Sequence, residues 1–260
     1  MTATARVALG GVDIDPVTLA EAAEQIVAAA AEHRGGIVVT PNVDHLQRLA
    51  ANPTLAPLYE GAALVLADGM PLVWAARLQG TPLPERVAGS DLVPAVAAVA
   101  EGRVSLFLAG GPDGAAEEAS EVLRRRHPGL DVRGWCCPRI GADLPAAELF
   151  ELERSIEEAQ PDIVLLGFGA PKQERLAMHL ATLFPSVWFL CIGAAIEMGA
   201  GQVARAPGWA QKVGAEWVVR LAQEPSRLAR RYLVDDLPFA MRLLAGAGAA
   251  ARRARDRLPT

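Results

Sequence analysis

The stretch VSLFLAGGPDGAAEEASEVLRRRH, residues 104–127, decides the fold class of this chain. Its first part, Val104–Ala109, is an apolar run of the kind that forms a strand buried on both faces. Gly110–Gly114 then contains three glycines that turn the chain, and Ala115–His127 has the apolar spacing of a helix. A buried strand, a glycine-rich turn and a helix form the repeating unit of a parallel α/β sheet.

The same unit recurs on both sides of this stretch. Strands are predicted at Val7–Val12, Gly36–Thr40, Ala63–Ala67, Asp131–Cys136, Asp162–Gly167 and Val187–Ile192. Helices are predicted at Pro16–Glu32 with Asp15 as N-cap, Asp44–Ala51, Pro71–Leu78, Gly89–Ala100, Leu149–Gln160 and Lys172–Leu183. We therefore predict that residues 1–204 form an α/β body, a Rossmann-like and mostly parallel sheet flanked by helices.

Residues 205–260 differ from the body in both pattern and charge. No strand is predicted there, and helices are expected near Pro207–Glu224, Ser226–Asp236 and Leu237–Arg257. From Arg220 onward the chain has nine arginines and four acidic residues, a local balance of +5, whereas the preceding residues have a balance of −10. We therefore expect a C-terminal helical appendage that faces an anionic partner.

Composition argues against several classes of protein. The chain has 260 residues, 52% of them hydrophobic, which is enough for a substantial core, and its net charge of −5 does not indicate a nucleic-acid partner. The N-terminal residues lack the apolar stretch of a signal peptide, and no run reaches the roughly 18 to 20 apolar residues of a membrane-spanning helix. The three cysteines and four histidines lack the spacing of a disulfide framework or a metal site, so we expect no metal, no cofactor and a cytoplasmic location.

Polar residues follow several predicted strands, at the edge where open α/β sheets bind their ligands. They are Thr40, Asn42, Asp68, Gly110–Gly114, Gln173, Glu174 and Glu197. The glycines let the backbone approach a phosphate at the start of a helix, although a tight turn alone explains the same residues. Asp68 is either the N-cap of the following helix or a general base at the ligand edge.

Two further features have competing interpretations. Lys172, Gln173 and Glu174 begin a helix after a Gly-Ala-Pro turn, where they form either a solvated first turn or a grip on phosphate or ribose. His45 lies close to Asn42, and we expect it on the surface of a helix rather than in the role of an acid or base. The absence of a Gly-x-Ser-x-Gly sequence argues against a hydrolase of that design.

Successive motifs of the chain resemble the WecG/TagA/CpsF glycosyltransferases, which form glycosyltransferase family 26. They are TPNVDH (40–45), ADGMPLVWAARLQG (67–80), ERVAGSDL (85–92), FLAGG (107–111), GFGAPKQE (167–174), GAG (199–201) and RAPGWAQKVGAEWVVRLAQEPSRLARRY (205–232). The resemblance runs from about Ala8 to Pro238, and its most specific parts are APKQE and the C-terminal block. It implies an inverting, metal-independent transfer of N-acetylmannosamine or a related hexose from a UDP-sugar. The acceptor would be an undecaprenyl-diphosphate-linked sugar in teichoic acid or other cell-surface polysaccharide synthesis.

The resemblance also implies roles for residues at matching positions. Asp68 would be the catalytic base. The substrate-binding residues would be Thr40, Asn42, Arg86, Gly110, Gly111, Gln173, Glu197 and the appendage residues Arg220, Arg227, Arg230 and Arg231. Arg86 and the appendage arginines would neutralise the diphosphate, because a guanidinium grips phosphate bidentately. The chain departs from the family at Ile196-Glu197, where members usually carry Phe-Asp. The carboxylate of Glu extends further than that of Asp, and Ile cannot make the aromatic contact of Phe.

The appendage of such a protein is expected to lie on the inner face of the plasma membrane, held at an anionic surface by its arginines, and a homo-oligomer is compatible with this. Its apolar side chains would either contact lipid or pack the appendage onto the body; they are Trp209, Trp217, Leu221, Leu228 and Tyr232. Two alternatives explain less of the sequence. A non-catalytic nucleotide-sugar-binding module leaves the PKQE and arginine-rich motifs unexplained, and a nicotinamide oxidoreductase would need the missing Gly-x-Gly-x-x-Gly fingerprint.

Overall fold

The computed structural model describes residues 5–199, 216–223 and 225–256, and its centre is a parallel sheet of six strands. A separate antiparallel hairpin of two strands precedes this sheet. The strands are β1 (Val7–Leu9), β2 (Val12–Ile14), β3 (Gly36–Val39), β4 (Leu64–Val65), β5 (Ser105–Gly110), β6 (Asp131–Cys136), β7 (Ile163–Gly167) and β8 (Trp188–Cys191). The order across the main sheet is β4-β3-β8-β7-β5-β6. The predicted α/β fold class is confirmed.

Helices cover both faces of the sheet, as expected. They are α1 (Leu19–Ala31), α2 (Val43–Ala51), α3 (Ala56–Glu60), α4 (Met70–Gln79), α5 (Gly89–Ala100), α6 (Ala115–Arg126), α7 (Ala146–Ala159), α8 (Lys172–Leu183), α9 (Ala195–Gly199), α10 (Glu216–Gln223), α11 (Pro225–Arg230) and α12 (Leu237–Asp256). A short 3₁₀ helix, Pro53–Leu55, lies between α2 and α3, and a π-helical segment, Arg231–Asp236, joins α11 to α12.

The strand order places a crevice between β5 and β7. After β5 the chain continues through α6 to β6 on one side, and after β7 it continues through α8 to β8 on the other. Helices α6 and α8 pack on opposite faces of the sheet, in separate hydrophobic clusters. Because the two connections diverge, the carboxyl ends of these strands leave an opening, which is where ligands bind in doubly wound sheets.

The central strands are buried on both faces, which explains their uninterrupted apolar sequences. In β7, Ile163 and Leu165 belong to the cluster on one face, while Val164 and Leu166 belong to the cluster on the other. All four side chains are fully buried. A strand covered on both sides has no polar face, so its sequence lacks the alternation of a half-exposed strand.

The start of the chain corrects two predicted details. The predicted strand Val7–Val12 is two strands joined at a glycine turn. The first helix begins at Leu19 rather than Pro16, because Thr18 and Glu21 form a capping box. Asp15 does not cap this helix: its carboxylate accepts from the backbone N–H of Val65 at 2.8 Å and pairs with a nearby arginine. Asp15 therefore ties the hairpin to the edge of the sheet.

The C-terminal helices contact the body instead of standing apart from it. Helix α12 packs along α4, and its side chains Phe239, Leu243 and Ala247 join the core cluster on that face. The predicted helix over Ser226–Asp236 is divided between α11 and the π-helical segment. The predicted boundary between residues 204 and 205 lies outside the described residues. None of the helices in the described ranges combines the length and apolar character needed to cross a bilayer.

Candidate active site

A cavity of about 1160 Å³ opens beyond the carboxyl ends of the parallel strands. The loops after β3, β4, β5, β7 and β8 form its floor, and α4, the π-helical segment and α12 form one wall. Eight of the predicted site residues line it: Thr40, Asn42, Asp68, Arg86, Gly111, Gln173, Glu197 and Arg231. Folding thus brings residues from both ends of the chain to one site.

The remaining predicted residues lie elsewhere or outside the described side chains. Gly110 is the last residue of β5, directly behind Gly111. Arg230 ends α11 with an exposed side chain, so of the two adjacent arginines only Arg231 reaches the cavity. Arg220 and Arg227 lie in α10 and α11, and their side chains are not among those described.

The glycine loop after β5 is a close-packed turn. Gly110 and Gly111 have φ angles of 100° and 81°, in the region that favours glycine. A Cβ atom on Gly110 would meet the carbonyl oxygen of Gly167 at 2.8 Å, and the Gly111 N–H donates to that same oxygen. The turn interpretation therefore accounts for both glycines. A phosphate at this loop would need N–H groups other than that of Gly111.

Asp68 lies at the cavity floor, directly after β4. Its backbone N–H donates to the carbonyl of Pro41 at 2.9 Å, which joins the ends of β3 and β4. Helix α4 has Gly69 at its N-cap position and no side-chain cap, so Asp68 is not the N-cap. The half-buried carboxylate of Asp68 lines the cavity instead.

Thr40 and Asn42 have structural partners as well as places in the cavity. The hydroxyl of the buried Thr40 donates to the carbonyl of Cys191 at 3.1 Å, which links the ends of β3 and β8. Asn42 caps α2, because its side-chain oxygen accepts from the backbone N–H of His45 at 3.3 Å. Both residues are thus held in place before any ligand arrives.

Gln173 and Glu174 are buried, so the interpretation as a solvated first turn is wrong for both. The Gln173 side-chain oxygen accepts from the backbone N–H of Gly193 at 3.0 Å, and its amide nitrogen donates to Glu174 Oε1 at 2.9 Å. Burial raises the pKa of Glu174. Lys172 turns away from these two and donates to the carbonyl of Ile140 at 2.7 Å.

His45 is not the surface residue that the sequence suggested. Its side chain is only 12% exposed, and Nε2 lies 3.9 Å from Glu174 Oε1. Burial lowers the pKa of His45 to about 4, and the cationic Arg231 and Arg48 act in the same direction against the opposing effect of Asp44. The imidazole is therefore neutral at pH 7. Helical periodicity placed His45 on α2 but could not show that Glu174 of α8 lies beside it.

Four arginines in the described part of the chain line the cavity, and the carboxylate partners of Arg86 and Arg231 fix how these two guanidinium groups lie. Arg86 is largely buried, and its guanidinium lies 2.6 Å from the Asp91 carboxylate in the first turn of α5. Arg231 lies 3.1 Å from Asp44 Oδ2 on α2 and 3.5 Å from Asp236 Oδ2 at the end of its own π-helical segment. Both guanidinium groups are thus oriented by carboxylates.

The ion cluster around Arg231 was not found from the sequence. Arg48 also contacts Asp44, at 3.0 Å, so this buried carboxylate has two arginine partners. Burial raises the pKa of Asp236 to about 6. The spacing of four between Asp44 and Arg48 on one helix is a usable signal for that pair. No local signal connects either of them to Arg231, since that contact joins distant parts of the chain.

One wall of the cavity is apolar. It consists of Met70, Pro71 and Trp74 from α4 and Leu237, Ala240, Met241 and Leu244 from α12, which we call the apolar wall. Trp74 is 40% exposed and Met241 64% exposed, although both are large apolar side chains. The cavity thus joins a polar, charged floor to a surface suited to hydrocarbon.

Metal and thiol chemistry has no assembled site within residues 5–199, 216–223 and 225–256. No group of three or more His, Cys, Asp or Glu side chains there could hold a metal ion. Cys136, Cys137 and Cys191 are all free, and burial raises the pKa of Cys136 to about 12, so this thiol stays protonated. Glu197, on the short helix α9, lines the cavity without joining such a group.

The fold and the site define an α/β protein with a charged cavity at the carboxyl edge of a parallel sheet, the place where such folds bind their ligands. The chain belongs to the WecG/TagA/CpsF family of glycosyl transferases, whose family model matches residues 7–253. The resemblance drawn from the motifs is confirmed, and the protein is a glycosyltransferase. Membership in this family decides against the nicotinamide oxidoreductase and the non-catalytic module.

Two relatives show how far the similarity extends. A protein of Bacillus spizizenii is 28% identical over 200 residues, which cover 76% of each chain. A protein of Staphylococcus aureus strain MW2 is 27% identical over 258 residues, which cover 97% of each chain. Both are named N-acetylglucosaminyldiphosphoundecaprenol N-acetyl-beta-D-mannosaminyltransferase. The second similarity spans nearly the whole chain, including the C-terminal helices.

Proposed function

We propose that this glycosyltransferase moves N-acetylmannosamine or a related hexose from a UDP-sugar onto an undecaprenyl-diphosphate-linked sugar. The transfer inverts the anomeric configuration and needs no metal ion, and its product enters teichoic acid or another cell-surface polysaccharide. The observation that carries this proposal is a single cavity in which a carboxylate, two arginines and an apolar wall meet. The names of the relatives support the lipid-linked acceptor and the N-acetylmannosaminyl group.

Asp68 is the base in the proposed reaction. The acceptor oxygen bonds to the anomeric carbon of the donor and gives its proton to the Asp68 carboxylate, while the bond from that carbon to the diphosphate breaks. Attack from the face opposite the diphosphate inverts the configuration in a single displacement. A positioned general base typically contributes about 10²- to 10⁴-fold to the rate. The fixed backbone of Asp68 and its place in the cavity suit this role.

Arg86 and Arg231 neutralise the UDP that leaves. The pairing with Asp91 holds the Arg86 guanidinium in place, so the protein need not reorganise when charge develops on the leaving group. Arg231 reaches the cavity from the appendage and is oriented by Asp44 and Asp236. Guanidinium groups bind phosphate bidentately and can supply the charge that a metal ion supplies in other transferases.

The apolar wall holds the first isoprenoid units of the acceptor. Exposed apolar surface beside a ligand cavity is a mark of a binding surface, and here it is continuous with the charged floor. An amphiphile with a sugar-diphosphate head and a hydrocarbon tail matches both parts. The head lies near Arg86 and Arg231, and the tail leaves the cavity between α4 and α12.

The appendage, residues 205–260, places this opening on the inner face of the plasma membrane, with residues 1–204 as the catalytic body. Leu233 and Val234 of the π-helical segment are exposed, and four exposed arginines lie on the same C-terminal helices: Arg230, Arg242, Arg252 and Arg253. Each basic residue contributes roughly 1 kcal/mol near an anionic membrane surface.

Not every apolar side chain of the appendage is available to lipid. Leu228 is only 2% exposed, whereas Trp217 packs edge-on against Tyr232 with ring centroids 6.2 Å apart and is still 40% exposed. Trp209 lies outside the described residues. The membrane contact proposed for the appendage is therefore assigned to Trp217, Leu233, Val234 and the exposed arginines. Flotation with anionic liposomes at low and high salt tests it.

Release of UDP in the presence of a lipid acceptor tests the proposed function. The purified protein is incubated with a series of UDP-hexoses and an undecaprenyl-diphosphate-linked N-acetylglucosamine, with and without EDTA. We expect UDP release that depends on the acceptor, is fastest with UDP-N-acetylmannosamine and persists in EDTA. If no UDP-hexose gives acceptor-dependent release, the proposal is wrong; release that stops in EDTA contradicts the metal-independent mechanism.

A further inference from the structure

A buried pair of side chains connects two residues of the cavity floor that are far apart in sequence. Gln173 donates to Glu174 Oε1 at 2.9 Å, and His45 Nε2 lies 3.9 Å from that oxygen. On its other side, His45 Nδ1 lies 3.1 Å from the backbone nitrogen of Asn42 and 2.8 Å from its side-chain oxygen. Gln173 and Asn42 thus each have a polar partner at the cavity floor, and His45, which also lines the cavity, lies between the two.

Stability alone gives no reason for a carboxyl group at position 174. Glu174 is 2% exposed, and its Oε2 has no hydrogen-bond partner in the part of the chain that the structure describes. A buried polar atom without a partner generally destabilises a protein, whereas an apolar side chain of similar volume would not carry this cost. The unpartnered Oε2 therefore disfavours folding, and only the contact of Oε1 with the Gln173 amide offsets it.

The contacts of Glu174 determine how the Gln173 amide faces the cavity. The backbone N–H of Gly193 fixes the amide oxygen at 3.0 Å, and Glu174 Oε1 accepts one of the two hydrogens on the amide nitrogen. An amide nitrogen carries two donors. One donor therefore remains for a ligand, in a side chain that can neither rotate nor flip without losing both contacts.

We propose that Glu174 is a positioning residue that fixes the Gln173 amide as a hydrogen-bond donor to the UDP portion of the donor substrate. This inference rests on the proposed function, because it assumes that Gln173 contacts UDP. Glu174 itself does not line the cavity, so its side chain is not placed to contact a substrate there. Its effect on binding must therefore pass through Gln173.

Two substitutions of Glu174 separate positioning from a role in folding. Glu174→Met fills the same volume but cannot accept a hydrogen bond, while Glu174→Gln keeps an oxygen that can accept from Gln173. We expect Glu174→Met to be about as stable as the wild type in urea unfolding, because removal of the unpartnered Oε2 offsets the loss of the acceptor for the Gln173 amide. We expect it nevertheless to bind UDP about 5- to 10-fold more weakly in calorimetry, as for the loss of one oriented hydrogen bond. Glu174→Gln should bind within about threefold of the wild type.

A second Glu–His pair of the chain provides a matched control. Glu153 lies 2.7 Å from His179 between α7 and α8, and neither residue lines the cavity. Glu153→Ala should leave UDP binding unchanged. In the Gln173→Ala background, Glu174→Met should cause no further loss of UDP affinity, because the amide that it positions is absent.

The outcomes distinguish this inference from the proposed function. The inference is overturned if Glu174→Met binds UDP as well as the wild type does. It is also overturned if Glu174→Met weakens UDP binding by the same factor in the wild-type and Gln173→Ala backgrounds. If Glu174→Met does not fold, the expected stability is contradicted, and the Glu174→Gln variant then decides. A loss of UDP affinity of tenfold or more in Glu174→Gln overturns the inference. Failure of the wild type itself to bind UDP would instead count against the proposed function.

Discussion

The two sides of the cavity are held by different forces. On the sheet side, Thr40, Asp68 and Gln173 are fixed by hydrogen bonds to backbone groups of neighbouring strands and loops. On the appendage side, Arg231 is held by ion pairs with Asp44 and Asp236. The sheet side therefore keeps its geometry whether or not a ligand is present. The appendage side can exchange its carboxylate partners for the phosphates of a substrate.

This difference separates the chemistry from the closure of the site. Side chains that must be accurately positioned before the reaction belong on rigid elements with satisfied hydrogen bonds. Groups that neutralise an incoming charge can come from a segment that changes partners on binding. The sheet side should thus control turnover, and the appendage side should control the binding of diphosphate and lipid.

Replacement of Asp68 should give the largest effect on the sheet side. We expect Asp68→Asn to lower kcat by roughly 10²- to 10⁴-fold, because the acceptor hydroxyl loses its base. The rate is measured as acceptor-dependent UDP release, with circular dichroism to verify the fold. Asp131→Asn, which changes an exposed carboxylate at the opposite edge of the sheet, is the matched control and should retain wild-type turnover. Normal turnover in a folded Asp68→Asn variant would remove Asp68 from the role of base.

His45 should make the stability of the sheet side depend on pH. Its pKa is about 4 in the folded protein, against 6.5 in the unfolded chain, because burial disfavours the charged imidazole. Between these values the unfolded chain binds a proton that the folded protein does not. The contribution of His45 to the free energy of unfolding is therefore complete above pH 6.5. It is lost as the pH falls to 4, and the loss amounts to roughly 3 kcal/mol.

Urea unfolding of the wild type and of His45→Gln across this pH range measures the contribution. The pKa of Asp236 is raised to about 6, which makes its own contribution fall as the pH rises from 3.8 to 6, opposite in sign to that of His45. Subtracting the unfolding free energy of the variant from that of the wild type at each pH removes the contribution of Asp236, which both proteins share. The difference should shrink as the pH falls below 6.5, and parallel pH curves for the two proteins would contradict a neutral, buried His45.

Arg231 should show the largest effect on the appendage side. We expect Arg231→Ala to lower kcat/KM by about 10- to 100-fold, because a hydrogen-bonded charge partner of the diphosphate is lost. Asp44 keeps its contact with Arg48 in this variant, so the fold should be preserved. The adjacent Arg230→Ala removes the same charge from an exposed site and should change kcat/KM less than twofold. Equal losses in the two variants would show that only net charge matters.

Substitution is a cleaner probe of the appendage than deletion. Removing the C-terminal helices would take α12 away from α4. The core surface against which Phe239 and Leu243 pack would then be exposed to solvent. Loss of activity in a truncated protein would then report the loss of core packing as well as the loss of Arg231.

The smallest effect is expected from the apolar wall. Trp74→Ala with Met241→Ala should raise KM for the undecaprenyl acceptor by about 3- to 10-fold, because less apolar surface remains to cover the isoprenoid. An acceptor with a short alkyl chain should not be affected. Leu183→Ala, which removes an exposed apolar side chain on α8 outside the cavity, is the control. Equal changes in KM for the long and the short acceptor would contradict the assignment of the wall.

Local sequence patterns were sufficient for the elements and for the residues at the strand ends. Lys172–Leu183 and Asp131–Cys136 were predicted with the bounds that the structure shows, because apolar periodicity and turn residues report local structure. Asp68 and Thr40 were found because the parallel strands of such a sheet end at one edge. Because all strands of the sheet run in the same direction, the residues that follow them lie at the same edge.

The support of the site could not be predicted in the same way. The contact between Asp44 and Arg231 joins two surfaces that meet only after folding, and no periodicity encodes it. The burial of His45 and Glu174 depends on contacts between distant parts of the chain, which a pattern read along either helix does not contain. Residues that line the cavity were thus visible in the motifs, whereas most residues that hold them in place were not.

A crystal structure of the protein with UDP tests the central claim most directly. The account predicts that the diphosphate lies within hydrogen-bond distance of the guanidinium groups of Arg86 and Arg231, in the cavity that Asp68 lines. UDP bound away from these residues would contradict it, for example in the second depression of about 610 Å³ that is lined by Gln47, Phe239 and Arg242.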